Sequence, residues 1–95
     1  MKKGFIYIMT NVKNNVFYIG VTRNLRSRVY QHKEKLVEGF SKKYNCTKLI
    51  YFEESVSIDA ALNREKKLKN WHRQWKVDLI NSVNPEWCDL AQELI

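Results

Sequence analysis

Residues 5–32, FIYIMTNVKNNVFYIGVTRNLRSRVYQH, decide the fold. Phe5–Met9 and Val16–Val21 are rich in β-branched and aromatic residues, the composition of strands. Between them, Asn11-Val12-Lys13-Asn14-Asn15 supplies asparagines, which tolerate the positive φ of a tight turn. After Gly20 the period changes. Leu25, Arg28, Val29, His32 and Leu36 recur at steps of three and four, one face of a helix, so Arg28 and His32 stand one turn apart. The stretch reads as strand, turn, strand, helix.

Alternation sharpens the hairpin. Ile6 and Ile8 share one face of the first strand, with Phe5, Tyr7 and Met9 on the other. In the second strand, Phe17, Ile19 and Val21 oppose Val16, Tyr18 and Gly20. The register that joins the most apolar sets pairs Ile6 and Ile8 with Phe17, Ile19 and Val21. It also brings Tyr7 and Tyr18 together, and a slip of one residue would part them. One strand tyrosine is ordinarily a packing residue. Two of them beside Arg28 and His32 make a candidate site.

Ninety-five residues suit one domain, 1–95, with a single modest core. No apolar run is long enough to cross a membrane. The run after Met1-Lys2-Lys3 is about five residues, short of the roughly 7–15 of a signal peptide, so a cytoplasmic location is expected. Cys46 and Cys88 lie far apart with no C-x-x-C spacing, and the chain has only two histidines. A zinc site or a disulfide is not expected, and both cysteines read as buried or half-buried free thiols.

Lys and Arg number 17 against 10 Asp and Glu, a net charge of +7. Thirteen of the 17 fall in two blocks, residues 23–43 and 64–76. Such clusters suit a polyanion, because each neutralised phosphate releases condensed counterions. They nominate Arg23, Arg26, Lys42, Lys43, Arg64, Lys67 and Arg73 as nucleic-acid contacts. Neither block pairs with an apolar face free to enter a membrane surface.

The helix after the hairpin should start at Thr22 to Asn24, run to about Val37, and end at Gly39. Phe40–Thr47 reads as a basic loop. Lys48–Glu54 alternates poorly but holds Leu49-Ile50-Tyr51-Phe52, a third, mostly buried strand. Ser55 or Ser57 caps a helix over about 57–70, with Ile58, Ala61, Leu62 and Leu68 as its stripe. Glu65 falls on that stripe. A carboxylate there must be paired or bound to a cation, and periodicity alone leaves two readings level: a pair with Arg28, or a divalent-metal ligand. Residues from Asn70 to about Val83 continue as a third helix, with Trp71, Trp75, Leu79 and Val83 as a core-facing stripe and His72 and Arg73 facing away. Asn84-Pro85 breaks it, and Asp89–Ile95 forms a short terminal helix.

Phe5-Ile6-Tyr7, then Tyr18-Ile19-Gly20, then an arginine in the following helix resembles the GIY-YIG nuclease signature. The nearest likeness is to short, single-domain, UvrC-like proteins, similar to the nuclease domain of the bacterial excision-repair endonuclease. It extends over GFSKKYN at 39–45, LIYFEE at 49–54, LNREKKLKNW at 62–71 and NPEWCDL at 84–90. Phe5 stands where the family name has glycine, and Val21 stands where some members carry lysine. The resemblance implies an α/β (α+β) fold, with a small three-stranded, mainly antiparallel sheet flanked by helices. It implies a metal-dependent endonuclease that hydrolyses DNA phosphodiester bonds, in repair or recombination.

The implied site has Glu65 holding a single Mg²⁺ or Mn²⁺, Arg28 clamping the phosphate, and Tyr7 or Tyr18 positioning or deprotonating water. His32 would orient a tyrosine or relay a proton. A late polar residue is typical of the family, and Asn84 is the candidate. A free phenol has pKa ≈ 10, so such a tyrosine needs a nearby cation to act as a base. No segment is left over for sequence recognition, so the module should read backbone or DNA structure, or borrow specificity from a second copy or a partner protein. RNA stays open as a substrate. The rival reading is a non-catalytic nucleic-acid-binding module of the same fold.

Overall fold

The computed structural model describes residues 3–94. The basic start at Met1-Lys2 and the last residue of the expected terminal helix, Ile95, lie outside the described residues. The elements run β1 (Gly4–Thr10), β2 (Phe17–Thr22), α1 (Leu25–Lys33), α2 (Phe40–Lys43), β3 (Lys48–Ser55), α3 (Ile58–Asn70) and α4 (Arg73–Val83), and a 3-10 helix closes the chain at Leu90–Leu94. The sheet is antiparallel throughout, in the order β2-β1-β3. This is an α+β domain, as the sequence implies.

β1 is the central strand. Ile6, Tyr7, Ile8 and Met9 are all fully buried because both of its faces are covered. Burying each such side chain is worth roughly 1.5–3 kcal/mol. On one face, Ile6, Ile8 and Ile19 pack with Ile50, Ala61, Leu68 and Ile80 under α3 and α4. On the other, Tyr7 and Met9 pack with Leu25, Val29, Cys46 and Leu49 under α1. The β1–β2 register is the expected one, with Ile6 opposite Val21 and Ile8 opposite Ile19. In the turn, Asn14 takes φ 57° and its N–H bonds the Asn11 carbonyl at 3.0 Å. β3 shifts register between Ile8 and Met9, so that Tyr51 and Leu49 are the partners and Ile50 is extra. That bulge puts Ile50 and Tyr51 on the same face, and it explains the poor alternation of this segment.

Several expected boundaries move. α1 stops at Lys33 instead of Val37. Lys35 takes φ 58°, its N–H bonds the His32 carbonyl, and the Leu36 N–H bonds the Gln31 carbonyl. This is a Schellman ending made with lysine in place of glycine, and it leaves Leu36 exposed. Gly39 therefore does not end α1. It precedes α2 at φ 104°, and part of the expected loop is a helical turn. α3 begins as expected, with Ser57 capping the Ala60 N–H. Its stripe narrows to Ala61 and Leu68, while Leu62 is exposed.

α4 is not a continuation of α3. Trp71 is extended, at φ −69° and ψ 150°, and packs on the core, so the chain turns before Arg73. The rotation brings Ile80 inside and leaves Trp75 and Val83 exposed, so of the expected Trp71/Trp75/Leu79/Val83 stripe only Trp71 and Leu79 pack on the core. His72 faces away from the core as expected, exposed and edge-on to the exposed Trp75 ring. Cys46 is buried and Cys88 is exposed rather than half-buried; both are free thiols.

Candidate active site

Tyr7 and Tyr18 lie on the same sheet face, with ring centroids 6.2 Å apart. Tyr7 is opposite Gly20. Its ring lies so close over that backbone that a Cβ on Gly20 would be 2.5 Å from the phenol oxygen. Glycine is required there for proximity, since no positive φ is involved. Asn24 caps α1 by accepting the Ser27 N–H, and this sets the helix so that His32 points into the sheet face. The His32 ring lies 5.5 Å from Tyr7 and 4.9 Å from Tyr18.

A buried hydrogen-bond chain follows. Tyr7 Oη and His32 Nε2 are 2.8 Å apart, and His32 Nδ1 and Ser41 Oγ are 2.7 Å apart. The Ser41 hydroxyl points to the Cys46 carbonyl at 3.4 Å. With the serine proton directed there, Ser41 accepts from Nδ1–H, and Nε2 is left to accept the Tyr7 hydroxyl proton. Burial pushes Tyr7 far above the ordinary phenol value. Tyr18 raises it further, and the Arg28 guanidinium partly opposes this. Burial, with the Arg28 charge second, lowers His32 to about 4. At neutral pH the pair is therefore a phenol and a neutral imidazole. Arg28 is half-buried and forms no ion pair among the described residues.

Tyr18 differs from Tyr7 in access. Tyr7 is fully buried, while Tyr18 lines a cleft of about 270 Å³ with Phe17, Ile19, Phe40, Lys69 and Lys76. The cleft lies along the free edge of β2. Burial, with the Arg73 charge second, lowers the pKa of Lys76.

Glu65 does not pair with Arg28. Its carboxylate, 18% exposed, lies 3.4 Å from the ammonium of Lys69, one of the cleft residues. That contact is longer than a good charge-assisted hydrogen bond, so both carboxylate oxygens keep capacity for a hard cation. No group of three His, Cys, Asp or Glu comes together among the described residues. Glu65 offers a single carboxylate, and a hard cation such as Mg²⁺ would need water and phosphate oxygens for its remaining positions.

Asn84 does not join this cluster. Its amide donates to the carbonyls of Ile50 and Cys88, and its Oδ1 accepts the Cys88 N–H. It pins the end of α4 to β3, the strand edge opposite Tyr18. Arg64 is likewise engaged. Its guanidinium binds Glu53 at 3.1 Å and lies 5.3 Å from the Trp71 ring. Tyr51 donates to the same carboxylate; burial, with Glu53 second, pushes that phenol up to about 12.

Arg73 does not simply face away. It covers the Phe17 ring at 4.2 Å and donates to the Asn15 carbonyl. Lys42 pairs with Glu38 on the surface, and Lys43 lies 5.4 Å from the Tyr44 ring. Arg23, Arg26 and Lys67 are exposed, and the first two line a separate groove with Phe5 and Phe52.

Sequence reasoning missed Ser41. It sits between exposed residues in what reads as loop, and its only signal is that a buried histidine needs partners for both ring nitrogens.

A hairpin that sets two tyrosines side by side, followed by a helix that carries an arginine and a histidine, is the arrangement of a small α+β domain of the GIY-YIG type. The family model described as the GIY-YIG catalytic domain matches residues 3–78, and the chain belongs to this nuclease family. It is 31% identical over 80 residues to a UPF0213 protein of Staphylococcus haemolyticus, covering 84% of this chain and 96% of that one. It is also 31% identical over 87 residues to a UPF0213 protein of Syntrophus aciditrophicus, covering 90% and 98%. The solution NMR structure of a UPF0213 protein from Bacillus halodurans shares the fold, with TM-score 0.57 and 18% identity over 90% of this chain and 89% of that one.

Proposed function

We propose that the protein is a cytoplasmic endonuclease that hydrolyses DNA phosphodiester bonds with one divalent cation, Mg²⁺ or Mn²⁺, in repair or recombination. The observation that carries this reading is the buried Tyr7–His32–Ser41 chain beside Tyr18, which opens on a cleft that Lys69 and Lys76 also line, with Arg28 near Tyr7.

Arg28 holds a nonbridging oxygen of the scissile phosphate and stabilises the charge that builds there. Tyr18, the tyrosine that reaches the cleft, orients the attacking water. The proton that leaves that water passes to the solvent of the cleft. Tyr7 donates to His32 Nε2, and Ser41 holds the His32 tautomer that accepts it, so the two fix Tyr7 beside Tyr18. A cation at Glu65 would supply charge stabilisation at the leaving oxygen and a more acidic bound water.

Nicking of supercoiled plasmid tests the reading, with Mg²⁺ or Mn²⁺ and with chelator, in native protein and in Glu65→Ala. Metal-dependent nicking lost in the variant is expected. Salt-sensitive DNA binding with no cutting of plasmid, branched or single-stranded DNA would favour the binding module instead.

A further inference from the structure

α2 is a single helical turn with two different sides. Ser41 faces inward and is fixed to His32 at 2.7 Å. Phe40 and Tyr44, four residues apart, face outward, with ring centroids 4.7 Å apart and exposures of 47% and 41%. Neither ring belongs to either hydrophobic core cluster. Phe40 borders the cleft that contains Tyr18. Tyr44 and Lys43 border a second groove of about 410 Å³ against Lys13 and Asn15 of the hairpin turn. The pair therefore stands between two grooves, one of which ends at the candidate active site.

We propose that Phe40 and Tyr44 form a stacking platform for an unpaired base of the substrate strand, next to the phosphate held by Arg28. This rests on the nucleic-acid reading of the site and adds to it a substrate class: strands with an unstacked nucleotide near the cut, such as a flap, a gap or a single strand. Every base has a π-face that can stack on such rings, but a base inside a duplex is already stacked on both sides. The surroundings favour a nucleotide over an apolar peptide. Lys43 lies against Tyr44, Lys42 is on the same turn, and Lys69 and Lys76 line the cleft beyond Phe40. The Ser41–His32 bond gives the platform a fixed distance from the reacting centre, so a stacked base would set the register of its neighbouring phosphate.

The test is binding in chelator, where no cutting intervenes, of oligonucleotides carrying 2-aminopurine. Single-stranded, flapped and fully paired forms are compared on native protein, Phe40→Leu and Tyr44→Leu. Both rings are largely exposed, so the variants should fold, and circular dichroism checks this. Stacking contributes about 1–3 kcal/mol per base, which corresponds to about 5- to 150-fold. Each variant should weaken single-stranded and flapped binding by that factor, relieve the 2-aminopurine quenching, and change duplex affinity less than twofold.

Equal losses on all three forms, or no loss on any, overturn the proposal. Ring-dependent binding of unpaired strands by a native protein that never cuts with metal would keep the platform and remove the endonuclease reading. Cutting that is indifferent to both substitutions would do the reverse.

Discussion

Gly20→Ala tests how tightly the tyrosine is built into the sheet. The new Cβ would lie 2.5 Å from Tyr7 Oη, 2.6 Å from Cζ and 2.9 Å from Cε1. The ring would have to retreat by about 1 Å to reach ordinary contact. Tyr7 is fully buried, so there is no open space to receive it. The 2.8 Å bond to His32 would stretch past hydrogen-bond range. Overpacking costs about 1–3 kcal/mol and the lost bond about 1 kcal/mol, so a loss of about 2–4 kcal/mol is expected. Urea denaturation followed by tryptophan fluorescence measures it. The decisive comparison repeats Gly20→Ala in a Tyr7→Leu background, where no ring lies over the strand. There the cost should fall below about 1 kcal/mol, because alanine suits a strand better than glycine. The same cost in both backgrounds would refute the idea that Tyr7 dictates glycine at position 20.

Further predictions concern the buried polar groups. His32 sits at about 4 when folded and about 6.5 when unfolded, so only the unfolded chain gains a proton as pH falls from 6.5 to 4. That removes about 3 kcal/mol of stability over this window and none above it; urea midpoints at pH 7 and 4.5 should show a larger drop for native protein than for His32→Gln. Ser41→Ala leaves the Nδ1 proton buried without an acceptor and should cost about 1–3 kcal/mol. In native protein, ¹⁵N NMR should show the Nδ1–H tautomer, and the Nε2–H form would contradict the assigned chain. Asn84→Ala strands the Ile50 carbonyl and should cost about 2–3 kcal/mol by denaturation while leaving the cleavage rate of the folded fraction unchanged.

The hairpin was readable because its two faces carry different chemistry. Pairing isoleucines with isoleucine and valine admits one register, and that register forces the tyrosines together. The Arg28–His32 spacing needed only helical geometry. Glu65 was visible as an acid on an apolar stripe, and its Lys69 partner, four residues on, follows from the same helical spacing.

What the sequence hid depends on contacts far apart in the chain. Ser41 is nine residues from His32 and looks like any loop serine. Asn84 looks like a candidate polar residue until the carbonyls that consume its amide are in place. Arg64 reads as one more basic residue in a basic block, yet Glu53 on the neighbouring strand claims it. The end of α1 was misplaced because lysine, not glycine, takes the left-handed position at 35.

The central claim is that Arg28, on one face of the sheet, and Glu65, on the helix covering the other, act on one phosphate across the free edge of β2. Single-turnover cleavage by Arg28→Ala, Glu65→Ala and the double variant tests it directly. Residues that work as one unit are strongly non-additive. The double variant should therefore be no slower than the worse single one. Losses that multiply, or cleavage that survives either substitution, would contradict the claim.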